Sequence, residues 1–178
     1  LFTSVPSIPT ALIGRERNIQ DIIHLLQTPE NRLVTLTGPG GIGKTRLAIE
    51  CARLLEPYYP DGVAYIPLAP LRNHRLVSET INYNLGVKVA GGNNLESLKL
   101  FLREKKFLLI LDSFEQVIEA ASILDDLLFV CPGLKIIVTS RLTRRLISRL
   151  AEGEPRREND LLSYLLFDGN WASGLIAL

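Results

Sequence analysis

The sequence predicts an α/β fold: a mostly parallel sheet flanked by helices in three layers. Strand-like apolar runs alternate with helix-patterned stretches along the chain. One run, Phe107-Leu108-Leu109-Ile110-Leu111, is apolar at every position, as in a strand buried on both faces of a parallel sheet. A glycine-rich loop at residues 38–43 lies between a strand pattern and a helix pattern, a join typical of α/β units.

The elements follow in order. Residues 1–13, with Pro6 and Pro9, are expected to be an extended lead-in. Ile19, Ile22, Ile23 and Leu26 form an i, i+3, i+4, i+7 stripe, so a helix is expected over 15–27, ended by Thr28-Pro29-Glu30-Asn31. Leu33-Val34-Thr35-Leu36-Thr37 is a first strand. Leu47, Cys51, Leu54 and Leu55 are the apolar face of the helix after the glycine loop. Pro57, Pro60 and Asp61-Gly62 mark a turn before a second strand, Val63-Ala64-Tyr65-Ile66. Leu76, Val77, Thr80, Ile81 and Asn84 share a helical face closed by Gly86. Asn93 and Glu96 have capping-box spacing ahead of Leu95, Leu98 and Leu102. The strand 107–111 ends in Asp112. Val117, Ala121, Leu124 and Leu128 make a further helix, broken by Cys131-Pro132-Gly133, and Lys135-Ile136-Ile137-Val138-Thr139 is a fourth strand.

Composition limits the function classes. The 178 residues suggest one domain able to bury a real core, with 47% hydrophobic and 22% charged residues. A net charge of +1 supplies no global pull toward nucleic acid or a membrane surface. No run of eighteen apolar residues is present, so no spanning helix and no membrane partner are expected. Leu1-Phe2-Thr3-Ser4 lacks the basic start and long apolar core of a signal peptide. Cys51 and Cys131 form no CxxC pair, and a reducing cytoplasm is the expected compartment. The sequence has no methionine, even at its first position, which reads as a piece of a longer chain.

Residues 38–45, Gly38-Pro39-Gly40-Gly41-Ile42-Gly43-Lys44-Thr45, fit the phosphate-cradling pattern G-x-x-x-x-G-K-[S/T]. In such a loop the backbone N–H groups face a polyphosphate at a helix N-terminus, where the orphan donors and the helix dipole both favour an anion. The lysine reaches the β- and γ-phosphates and the Thr hydroxyl sits on Mg²⁺. Residues 38–46, through Arg46, are therefore the expected binding segment for ATP or ADP with Mg²⁺.

Ligands of parallel sheets sit at the carboxyl ends of the strands, so residues at those ends can converge. Asp112 there is the expected partner of a Mg²⁺ held by Thr45; the competing role is a cap for the helix that follows. Glu115 could orient the water for hydrolysis, because Ser113, directly after Asp112, cannot act as a base. Its alternative is a first-turn acid favoured by the helix dipole. Arg141 could fork onto a γ-phosphate, or be a solvated surface residue. The six arginines from Arg141 to Arg157 are interleaved with acids and lack aromatics, so a solvated face is expected and not a nucleic-acid patch.

Four ordered segments resemble the STAND class of P-loop NTPases, and within it the NB-ARC-like ATPase modules of large bacterial LuxR- and SARP-type regulators. Leu12-Ile13-Gly14-Arg15-Glu16 resembles the family's hhGRE motif; residues 36–45 its Walker A; residues 108–115 its Walker B, where relatives carry Asn or Asp at the place of Ser113; residues 137–141 its sensor strand. The resemblance implies a P-loop NTPase fold over 14–145. It places Gly14 and Arg15 against adenine and ribose, and implies an ATP/ADP-binding switch with slow hydrolysis in a multidomain regulator. Its partners would be helical, repeat or DNA-binding domains of the same polypeptide, and an oligomer formed with nucleotide. Relatives continue into a fifth strand, a helical lid and a winged helix; residues 146–178 display none of these clearly, and are expected to be a divergent tail. The rivals are a fast AAA-like ATPase, which would want an acid at Ser113; a kinase, which would need an acceptor site; and a degenerate scaffold, against which the intact Lys44 and Thr45 speak.

Overall fold

The computed structural model of the chain describes residues 2–10, 12–141, 161–167 and 170–172. Among these residues a seven-stranded sheet forms the middle layer, in the order β1-β3-β4-β5-β2-β6-β7. Its strands are β1 (Phe2–Ser4), β2 (Leu33–Thr37), β3 (Gly62–Pro67), β4 (Phe107–Asp112), β5 (Leu134–Ser140), β6 (Leu161–Phe167) and β7 (Asn170–Ala172). All neighbours pair parallel except β6 and β7. The helices are α1 (Glu16–Gln27), α2 (Lys44–Leu55), α3 (Val77–Leu85), α4 (Asn94–Leu102) and α5 (Ala121–Val130).

Strand alternation divides the core between the two faces of the sheet. On one face Val34, Leu36, Leu108, Ile110 and Ile137 pack with Ile22 and Leu26 of α1 and Leu47, Ala48, Cys51 and Leu55 of α2. On the other, Phe107, Leu109, Leu111, Ile136 and Val138 pack with α3, α4 and α5 through Ile81, Leu98 and Leu124. Every residue of β2 and β4 is buried, which is why these strands carry unbroken apolar or β-branched runs. The predicted three-layer α/β class is the observed one.

Local chemistry sets the boundaries. Gly86 stops α3 with φ of 66°, a left-handed cap that costs glycine little. Asn93 Oδ1 accepts the Glu96 N–H at 3.1 Å and starts α4, while the Glu96 carboxylate pairs with Lys99 at 2.9 Å instead of completing the box.

Two expectations need correction. Leu54 is 40% exposed, and the buried seam of α2 is Leu47, Ala48, Cys51, Ala52 and Leu55, because small alanines let the helix sit close to the sheet. The helix expected from Val117 begins only at Ala121; Phe114–Gln116 and Ile118–Ala120 are 3-10 turns. A fifth parallel strand, not clear in the sequence of residues 146–178, is present: β6 pairs parallel with β2, with Leu33 opposite Leu161 and Thr37 opposite Leu165. Its signal is a leucine- and aromatic-rich run interrupted only by Ser163, Leu161-Leu162-Ser163-Tyr164-Leu165-Leu166-Phe167, bounded by Asp160 and Asp168-Gly169. Arg144 to Arg157 and the lid-like Gly174-Leu175 lie outside the described residues.

Candidate nucleotide-binding site

Strand order explains how the site assembles. β2, which leads into the glycine loop, is not beside β4, which ends in Asp112; β5 lies between them. Helix α2 leaves the loop and packs over Ile137 of β5 and Leu108 and Ile110 of β4. Its first turn therefore hangs above the end of β4, and Thr45 Oγ1 donates to Asp112 Oδ1 at 2.6 Å.

The loop has a cradle's backbone. Gly41 and Gly43 have φ of 82° and 91°, values that L side chains rarely adopt, and a Cβ at either would meet nothing within 4 Å. Gly40 is different. A Cβ there would touch the Arg141 guanidinium at 3.6 Å, so the arginine lies over the crown of the loop. The Gly38 N–H donates to Ser140 O at 3.3 Å, joining the loop's start to the end of β5. Pro39 and Ile42 are the remaining loop positions, and Pro39 supplies a carbonyl to Lys44.

Lys44 is 8% exposed. Its ammonium donates to Gly38 O at 2.8 Å and Pro39 O at 2.7 Å, both neutral carbonyls. Burial pulls its pKa down; the negative charge of Glu115 pushes back most, then the Arg141 cation lowers it and Asp112 raises it. A buried cation resting on neutral carbonyls beside an open loop is a fitting receptor for an anion. The residues present thus fit a polyphosphate.

Asp112 is 7% exposed and accepts three hydroxyls: Thr45 and Thr139 on Oδ1, each at 2.6 Å, and Tyr65 on Oδ2 at 3.0 Å. Its carboxylate is not a helix cap; Ser113, the residue at that cap, makes no side-chain cap bond. Burial first, and then the charge of Asp112, push the Tyr65 phenol upward and keep it a donor. A carboxylate and a hydroxyl within 2.6 Å of each other are a fitting pair of oxygen donors for Mg²⁺.

Glu115 and Arg141 meet. Glu115 Oε2 accepts the Arg141 backbone N–H at 3.1 Å, and Oε1 pairs with Arg141 Nε at 3.4 Å. Arg46 donates through Nη2 to the carbonyl of Thr10 and to its Oγ1, tying the lead-in to the first turn of α2. This brings the segment before Gly14 close to the loop. Gly14 has φ of 74°, its N–H donates to Glu16 Oε1 at 3.1 Å, and Arg15 precedes α1. Ile13 is 86% exposed there.

Tyr65 and Thr139 escaped the sequence reading as partners of Asp112. Each sits in the C-terminal half of a mostly apolar strand, where a hydroxyl taken out of water needs an acceptor. The cavity of about 790 Å³ beside Leu26, Tyr59, Arg103 and Lys135 lies at the opposite, N-terminal ends of β4 and β5. Cys51 is buried and its thiol is pushed up to about 12, as for a packing residue. Among the described residues no helix is long and apolar enough to cross a membrane.

Comparison with known proteins agrees with this geometry. The chain is 40% identical over 114 residues to a Mycobacterium tuberculosis protein provisionally named an HTH-type transcriptional regulator, covering 63% of this chain and 13% of that protein. It is 35% identical over 133 residues to an uncharacterized protein of the same organism, covering 74% of this chain and 33% of that one. It therefore spans no more than a third of the length of these relatives. Among solved structures it is similar to Cdc6p from Pyrobaculum aerophilum, with a TM-score of 0.62 and 20% identity over 84% of this chain and 46% of that one. It is similar also to Drosophila ORC bound to DNA, with a TM-score of 0.60 and 17% identity over 84% of this chain and 49% of that one. At such identities these two likenesses concern the fold alone. The NB-ARC domain family matches residues 15–161, and the chain belongs to that family of P-loop NTPases.

Proposed function

We propose that this chain is an ATP/ADP-binding switch module of a larger cytoplasmic regulator, with slow hydrolysis. The observation that supports it most is the meeting of Lys44, Thr45, Asp112 and Arg141 at one end of the sheet, although their strands are not all neighbours. Residues 14–145 are the nucleotide-binding unit in this reading. The loop N–H groups and Lys44 hold the phosphates. Gly14 and Arg15 lie against adenine and ribose, brought near by the Arg46–Thr10 contact.

Thr45 and Asp112 would hold Mg²⁺, Asp112 kept in place by Thr139 and Tyr65. Mg²⁺ supplies charge neutralisation on the β- and γ-oxygens when bound. Arg141 is the residue that distinguishes ATP from ADP, since it lies over the loop's crown at Gly40. Glu115 is the carboxylate closest at hand to orient water, but both its oxygens are engaged by Arg141, which favours a holding role over rapid turnover. The partners of the switch are other domains of the same polypeptide, arranged according to the nucleotide held.

Competition binding with ADP and a non-hydrolysable ATP analogue tests the switch. Arg141→Ala should weaken the analogue by about 1.5–3 kcal/mol, the scale of a charge-assisted contact, and leave ADP nearly unchanged. Equal losses for both ligands, or none, would remove Arg141 from the site.

A further inference from the structure

We propose that Glu115 is a positioning residue that holds the Arg141 guanidinium and releases it only to a γ-phosphate. The inference rests on the reading of Arg141 as the residue that distinguishes ATP from ADP.

Glu115 holds Arg141 in two places, and the two contacts differ in kind. Oε2 takes the backbone N–H at 3.1 Å, fixing the main chain where β5 ends. Oε1 takes the side chain at 3.4 Å. The Glu115 side chain is 8% exposed while that of Arg141 is 67% exposed. The carboxylate is thus anchored in the structure and the guanidinium is held at its wet edge. Water screens the side-chain pair and makes it weak, whereas the backbone contact, though also at the exposed edge, involves a main chain held at the end of β5. The guanidinium can leave while the backbone stays.

What would draw it away must be a more highly charged acceptor near Gly40, with two oxygens to take the guanidinium fork, since the guanidinium lies 3.6 Å from the place a Gly40 Cβ would take. A γ-phosphate on the loop satisfies this; ADP, which ends at the β-phosphate, does not. Glu115 therefore sets a threshold. It competes with the γ-phosphate for Arg141. This competition falls on the ligand with the extra phosphate. The carboxylate freed by the exchange is then next to the reacting phosphate, so one residue delays commitment and later faces the water.

Glu115→Gln discriminates, because a glutamine carbonyl can still accept the Arg141 backbone N–H while the charge is gone. The probes are a non-hydrolysable ATP analogue and ADP, titrated into the intact chain with Mg²⁺. The expected result is that Glu115→Gln tightens the analogue about three- to tenfold and changes ADP less than twofold, the range of a screened ion pair. In an Arg141→Ala background the same change should alter the analogue less than twofold, because there is nothing left to release. Retained ADP binding certifies that each variant is folded. Equal tightening in both backgrounds would overturn the proposal, leaving simple repulsion by a carboxylate. No tightening by Glu115→Gln, with Arg141→Ala still selective, would overturn it while sparing the reading of Arg141. An Arg141→Ala protein without altered selectivity would overturn that reading, and the hold with it.

Discussion

Thr139 Oγ1 donates to Asp112 Oδ1 at 2.6 Å and accepts the Ser113 N–H at 3.0 Å. One buried hydroxyl of β5 therefore fixes both the carboxylate that ends β4 and the first peptide of the turn after it. Thr139→Val keeps the shape and removes both functions, leaving a half-buried N–H without its acceptor. The variant should lose about 1–3 kcal/mol of stability, and Thr139→Ser should restore most of it. Urea unfolding of the three proteins measures this; a valine protein as stable as wild type would show that the hydroxyl is dispensable.

Ser113 has φ of 64° and ψ of 46°, the left-handed region. It is the one non-glycine residue with positive φ among the described residues. Asn and Gly tolerate this region better than Ser. An Asn at this position would therefore have a backbone advantage besides any catalytic one. Ser113→Asn and Ser113→Gly should each raise stability, by up to about 1 kcal/mol, and Ser113→Val should lower it. Thermal unfolding decides the order, and a destabilised Asn variant would speak against the backbone explanation.

Turnover should be slow, below about 0.1 s⁻¹ and well under the common enzymatic median. Ser113 offers no base beside Asp112, and Glu115 is occupied by Arg141. Phosphate release in the presence of Mg-ATP measures the rate. Several turnovers per second, abolished by Glu115→Gln, would mean that Glu115 acts as a full base and that the chain is a faster ATPase than proposed.

Much of the fold was legible because its strands declare themselves locally. Leu33–Thr37, residues 107–111 and residues 136–139 are apolar or β-branched runs that need no tertiary information to recognise. The strand β6 is leucine-rich as well, but it contains Ser163 and follows a charged, turn-like stretch that masks it. The start of α5 was hidden for another reason. Val117 continues the helical spacing of Ala121, Leu124 and Leu128, yet the backbone must first turn away from Asp112, and 3-10 turns do this. The loop residues of the site follow a contiguous pattern and were visible. Tyr65 and Thr139 were not, since their tie to Asp112 depends on which strands are neighbours, and order in the sheet differs from order in the chain.

The claim on which all else depends is that the loop at 38–45 binds nucleotide phosphates through Lys44. Its ammonium now rests on Gly38 O and Pro39 O and must exchange these carbonyls for phosphate oxygens. Isothermal titration of ADP and an ATP analogue, with Mg²⁺, into wild type and Lys44→Ala tests this most directly. The predicted result is binding by wild type and a loss of about 2–4 kcal/mol in the variant, the scale of lost charge-assisted bonds. Equal affinities in the two proteins would contradict it.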